Sequence, residues 1–230
     1  MKPGLIGISA IAAIVLGAIV SPMAHAEGLV EPSSGVSFER RPSSDGKGFL
    51  CLGAGIRKYL FWKVYAMDFC VEEEKMKAEL DRYFAGPGKR YADLKGGALA
   101  NALGDDRRFF EYLASAAIEK RAELVFLRGS DADTVRNSFT KNLEKGIGSA
   151  DSEKAAIRYF VSAIDRDVKA GDRARFVTRP GELSFTWGTN SKTLKHDGVE
   201  AAFWAGYLGP DSPLPSLKDA VAQGVAALRP

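Results

Sequence analysis

The stretch that decides the fold is "CLGAGIRKYLFWKVYAMDFC", residues 51–70. Two cysteines bracket an apolar run, and one arginine, Arg57, stands inside it. Phe49 to Leu52 and Ile56 to Val71 are rich in β-branched and aromatic residues, so they read as two strands of a hairpin turning near Leu60 and Phe61. A guanidinium among apolar neighbours is costly unless it meets an anion. Arg57 therefore either pairs with an acid of the chain, Asp68 being the nearest, or faces a ligand.

Strand parity separates these choices. If Arg57 sits opposite Tyr65, then Tyr65, Met67 and Phe69 share its face, while Val64, Ala66 and Asp68 point the other way. Arg57 and Tyr65 then form an anion site with apolar walls from Met67, Phe69 and Phe61 or Trp62, suited to an apolar carboxylate. In that register Cys51 and Cys70 face opposite ways. One extra residue at Gly53-Ala54, both opposing Asp68, brings the cysteines together. Gly53-Ala54-Gly55 otherwise resembles only a fragment of a phosphate loop, because no helix opens after it.

Outward from the hairpin, the N-terminus has the marks of export. Met1-Lys2 is followed by the uncharged apolar run Leu5 to Val20, and Ala24-His25-Ala26 fits the small-x-small site of signal peptidase. The run is shorter than the ~20 residues of a membrane span. Residues 1–26 read as a signal peptide, with an uncleaved N-terminal anchor as the alternative, and the protein as periplasmic or secreted. Removing 26 of the 230 residues leaves about 204, enough for one substantial core. The formal charge of +3 falls to +2 with the loss of Lys2. Lysines and arginines are scattered among acids rather than gathered in a stripe, which argues against a nucleic-acid partner. No later segment is apolar enough to span a bilayer. The chain has two cysteines, Cys51 and Cys70. In an exported protein a disulfide is the default, closing a loop of about twenty residues, with two buried thiols as the alternative.

Residues 27–47 are a loose, Ser-, Gly- and Pro-rich lead-in with one short strand near Val36 to Phe38. After the hairpin, "EEEKMKAELDRYF" has the helical period, as does "DDRRFFEYLASAAIEK". A short strand "AELVFLRG" precedes a helix opened by a capping box at Ser130 to Asp133. "DSEKAAIRYFVSAIDRDVKAGD" reads as one long helix stopped by Gly171, and "ARFVT", "LSFTW" and "KTLK" as three strands. Helices from about Val199 and Leu217 close the chain. Strands in runs with helices inserted as blocks imply an α+β fold, a large antiparallel sheet with helices on one face.

Catalytic and metal-binding patterns are sparse. The only histidine after residue 26, His196, lies in a polar turn and reads as a solvated loop residue, with axial ligation of a haem-like ring as the alternative. No serine lies in a nucleophile-elbow context, no metal-ligand cluster is present, and no cofactor is implied.

"LGAGIR" (52–57), "KVYAM" (63–67) and "FWAGYLG" (203–209) resemble the chalcone isomerase-like family over residues 48–217, most of the segment 48–230 read as the domain. The resemblance implies an open-faced sandwich with a ligand cleft between sheet and helices. It also implies that Arg57 reaches into the cleft, and that Tyr65 is the hydroxyl of the next strand, as in fatty-acid-binding members. The plant isomerases carry a tyrosine after "LTG"; the comparable stretch here is "LRGSDADT", with Ala132 near that place. The expected function is binding of a small, fatty-acid-like ligand. The alternatives are an isomerase of the intramolecular lyase type, in which Arg57 would stabilise an enolate or phenolate oxygen, and an envelope interaction module.

Overall fold

The computed structural model describes residues 28–39, 48–148 and 150–229. The expected leader, 1–26, and residues 40–47 of the lead-in lie outside these. Six strands form one antiparallel meander in chain order: β3 (Phe49–Tyr59), β4 (Trp62–Glu72), β5 (Lys120–Phe126), β6 (Arg173–Arg179), β7 (Glu182–Trp187) and β8 (Asn190–Lys195). The ribbon of β1 (Leu29–Val30) and β2 (Ser37–Phe38) precedes them. Three helices sit between β4 and β5: α1 (Glu73–Ala85), α2 (Gly96–Gly104) and α3 (Arg107–Ser115). Helices α4 (Ala132–Ile147) and α5 (Asp151–Val161) lie between β5 and β6, and α6 (Val199–Leu208) and α7 (Pro215–Ala227) close the chain. This is the expected α+β architecture.

Alternation along the strands sets one face against the helices. Leu124, Phe126, Ala174, Phe176, Leu183, Phe185 and Trp187 are all buried there, and the Phe176 and Phe185 rings stack with centroids 4.9 Å apart. Trp204 of α6 is fully buried against Phe69, and its indole donates to Thr178 Oγ1 at 2.7 Å. The opposite face is polar. There Glu123 bridges Arg173 and Arg175, and Glu119 joins Arg121 to Arg179. The β1–β2 ribbon covers one corner of it, with Phe38 packed on Ala54, Ala66 and Val125.

The β3–β4 register pairs Arg57 with Tyr65 and Cys51 with Cys70. The bulge that reconciles the two pairs falls one residue earlier than Gly53-Ala54. Cys51 opposes Cys70 and Gly53 opposes Phe69, so Leu52 is the extra residue. The glycines serve helix packing instead. A Cβ at Gly55 would stand 2.3 Å from the backbone nitrogen of Leu217, and one at Gly53 would stand 2.6 Å from the backbone of Ala220. Helix α7 therefore lies directly on the β3 backbone.

Helix ends differ most from the pattern-based expectation. The α3 pattern continues to Lys120, yet the helix stops at Ser115, because Lys120 is already paired with Thr178 in the sheet. The α5 pattern continues to Gly171, yet the helix stops at Val161. Beyond it Val168 bridges to Ser130, and the Asn190 side chain bonds Asp165 at 2.9 Å. Helix α2 was not expected, since its four-residue spacing of Leu99 and Leu103 is hidden among glycines. At α4 the cap is Asp131, which accepts from Thr134 N at 2.7 Å, rather than Ser130.

Candidate functional site

Arg57 leaves β3 on the helix-facing side and is partly rather than fully buried. Its guanidinium carbon lies 5.8 Å from the ring centroid of Tyr65, its register partner. Tyr207 of α6 completes the group, lining the same two hollows as Arg57 and Tyr65, and the Arg57 charge acts on both phenols. Among the described residues no carboxylate pairs with Arg57. Asp68 points to the other face of the sheet, where it accepts from Glu123 N at 2.5 Å. A cation compensated only by two neutral phenols is prepared to receive an anion.

The space beside it has an apolar part and a polar part. A cavity of about 210 Å³ is walled by Val64, Leu124, Phe126, Val135 and Phe139, with hydroxyls from Ser130, Thr134 and Ser138. A second hollow of about 190 Å³ shares Arg57, Tyr65, Ser138, Phe139 and Tyr207 with the first, and adds Lys141, Asn142, Lys145 and one acid, Asp211, which forms no ion pair with Arg57. The triad of Arg57, Tyr65 and Tyr207 thus lies where an apolar chamber meets a polar one with three cations and one acid. Helix α4 supplies the opposite wall because Thr134, Ser138, Lys141 and Lys145 recur at helical spacing on one stripe.

Burial pushes the Tyr65 and Tyr207 phenols above their ordinary value of 10, Tyr207 the further because Tyr65 adjoins it; the nearby Arg57 charge works against both rises. Both are neutral hydrogen-bond donors at neutral pH, and neither serves as a general base there.

Met67 and Phe69 share the face of Tyr65 and are fully buried, but neither lines the two hollows; Phe69 packs edge-on against Trp204, ring centroids 4.7 Å apart. Phe61 and Trp62 do not form a cleft wall. They are 96% and 58% exposed, because the hairpin overhangs the sheet: β5 pairs with β4 only from Tyr65 onward. His196 sits in the turn before α6, its Nδ1 2.7 Å from the Asp197 carbonyl oxygen, and is not among the residues lining the cleft. Cys51 and Cys70 form a disulfide on the sheet face away from the helices, beside the buried Asp68. Tyr207, Thr134, Ser138 and Phe139 carry the site without having been marked by their local sequence. Tyr207 does lie within "FWAGYLG".

A meander of six strands, with helices inserted after β4 and β5 and an arginine on β3 facing them, is the chalcone isomerase-like fold. The chain is similar to the Arabidopsis thaliana fatty-acid binding protein AtFAP1, with a TM-score of 0.64 and 22% sequence identity over 88% of this chain and 98% of that one. No protein-family model and no curated protein matches the sequence.

Proposed function

We propose that the protein binds a small apolar ligand bearing an acidic group, of the fatty-acid class, in the cleft between sheet and α4. One observation carries this reading: Arg57 stands at the end of an apolar cavity with Tyr65 and Tyr207 and, among the described residues, forms no ion pair, although Asp211 lines the adjoining hollow. The guanidinium would take the ligand's anion, Tyr65 would add a hydrogen bond, and the chamber of Val64, Leu124, Phe126 and Phe139 would take the chain. The fatty-acid-binding function of AtFAP1, on the same fold, supports the assignment. We read the protein as an exported binder rather than an enzyme. The leader-like residues 1–26 and the disulfide support export, and the two neutral phenols favour holding an anion over removing a proton.

Native mass spectrometry of the purified protein tests the reading. An added mass matching an apolar acid is expected with the wild type and is expected to vanish in Arg57→Ala, with the melting temperature little changed. Retention of the same ligand by the variant, or a large loss of stability with no ligand in either protein, would refute it.

A further inference from the structure

Four consecutive large side chains at the tip of the β3–β4 hairpin face outward: Tyr59 is 65% exposed, Leu60 76%, Phe61 96% and Trp62 58%. Isolated exposed apolar residues are ordinary, but a continuous run at the end of a projecting hairpin is not. Leu60 also adopts φ 53°, the left-handed region that a tight turn normally fills with glycine or asparagine. The chain thus keeps a large apolar residue where its backbone disfavours one.

The charged side chains of the tip itself are all cationic; the acid of the adjoining β1–β2 turn, Glu31, is buried and held by Ser33 and Ser34. Lys58 and Lys63 flank the four residues, and the Arg128 guanidinium lies 4.5 Å over the Trp62 ring. No acid occurs from 57 to 65, and Arg128 has no carboxylate partner among the described residues. Ser34, Phe61, Trp62, Lys63, Leu127 and Arg128 border an open hollow of about 520 Å³, room for a polar headgroup between two rings, Arg128 and Lys63, whose ammonium also donates to the Ser33 carbonyl. Aromatic and leucine side chains ringed by cations are what the interface of an anionic bilayer accepts. Trp and Tyr settle at headgroup depth, and each nearby Lys or Arg is attracted to the negative surface.

We propose that residues 58–63, with Arg128, dock the protein on the surface of a bilayer containing anionic lipid. Tyr59 belongs both to this tip and to the lining of the apolar cavity. Docking therefore sets the cavity beside the acyl region of the membrane, from which an amphiphile could enter. That purpose rests on the ligand reading above; the docking itself requires only the tip.

Trp62 reports the contact, because Trp187 and Trp204 are 2% and 0% exposed. The probe is vesicles of phosphatidylglycerol and phosphatidylethanolamine, some carrying brominated acyl chains, with phosphatidylcholine vesicles as reference. A blue shift and quenching of Trp62 emission are expected with the anionic vesicles, weakened by salt and absent in Trp62→Phe. The double variant Leu60→Ser, Phe61→Ser is expected to weaken the interaction by about tenfold or more, since two apolar side chains no longer enter the interface. Lys58→Gln with Arg128→Gln is expected to erase the preference for anionic lipid. Arg57→Ala should leave docking intact while ligand is lost, so either idea can fail alone. No Trp62 response at low ionic strength, an equal response from the Leu60/Phe61 variant, or a response to protein concentration without lipid (a protein contact instead) would overturn the proposal.

Discussion

Arg57 and Tyr65 are direct partners across the β3–β4 ladder, with the guanidinium carbon 5.8 Å from the tyrosine ring, and Tyr207 reaches the same phenol from α6. The cation is flanked by neutral phenols rather than neutralised by an acid, at the junction of an apolar and a polar hollow.

Removing one phenol should weaken binding without unfolding the protein. Tyr65→Phe is expected to reduce affinity for a fatty-acid probe about fivefold, the worth of one hydrogen bond of about 1 kcal/mol. Tyr207→Phe should act less on its own, and the double variant less than additively, because the two phenols adjoin one another in the same hollows. Titration calorimetry of the three variants checks this; fully additive losses would show that the phenols act independently. Because burial raises both phenols above 10, neither effect should change between pH 6 and 9.

Gly55 tests the seating of α7. Gly55→Ala places a methyl 2.3 Å from the backbone of Leu217, which cannot yield as a flexible side chain would. A loss of about 1–3 kcal/mol is expected from overpacking. Gly97→Ala, inside α2 with nothing within 4 Å, should instead stabilise by about 0.5–1 kcal/mol through helix propensity. Denaturant midpoints of the two variants should move in opposite directions.

Asp68 predicts a pH dependence. Burial, opposed by its bond from Glu123 N, raises its carboxyl from the ordinary 3.8 to about 7. Between those values the native protein holds a proton that the unfolded chain has released. The contribution is therefore fully present below about pH 4 and is lost as pH rises through about 7. Asp68→Asn keeps an oxygen to accept from Glu123 N but cannot ionise. Its melting temperature should fall less than that of the wild type between pH 4.5 and 8. Parallel curves would place the titration elsewhere.

The Cys51–Cys70 disulfide spans 19 positions and lies on the sheet face opposite the cleft. Replacing both cysteines with serine should cost on the order of 3 kcal/mol, through the freedom regained by the unfolded chain. Ligand affinity should hardly change, as neither sulfur lines the cleft. A large affinity loss at unchanged stability would contradict this division of roles.

The hairpin, its register and the single-faced sheet were legible because they follow from alternation and pairing, which are local: once Arg57 opposes Tyr65, the faces of Met67, Phe69 and Asp68 follow. The α3 and α5 endings were not, because strand pairing at Lys120 and the Val168 bridge outweigh helix period. Phe61 and Trp62 misled for a related reason. Their composition signals a core, but the tight turn carries them past the edge of β5.

By itself the sequence determined the α+β class, from the order of strand and helix patterns along the chain, and indicated the pairing of Arg57 with Tyr65 and the closeness of Cys51 to Cys70, which depend on residues within one hairpin. Only the tertiary structure brought Tyr207, Thr134, Ser138 and Phe139 to Arg57 and sent the aromatic tip into solvent. Those residues lie some 75 to 150 positions from Arg57, or owe their exposure to where a neighbouring strand ends. No local period encodes such distances; they are set by how α4 and α6 pack on the sheet.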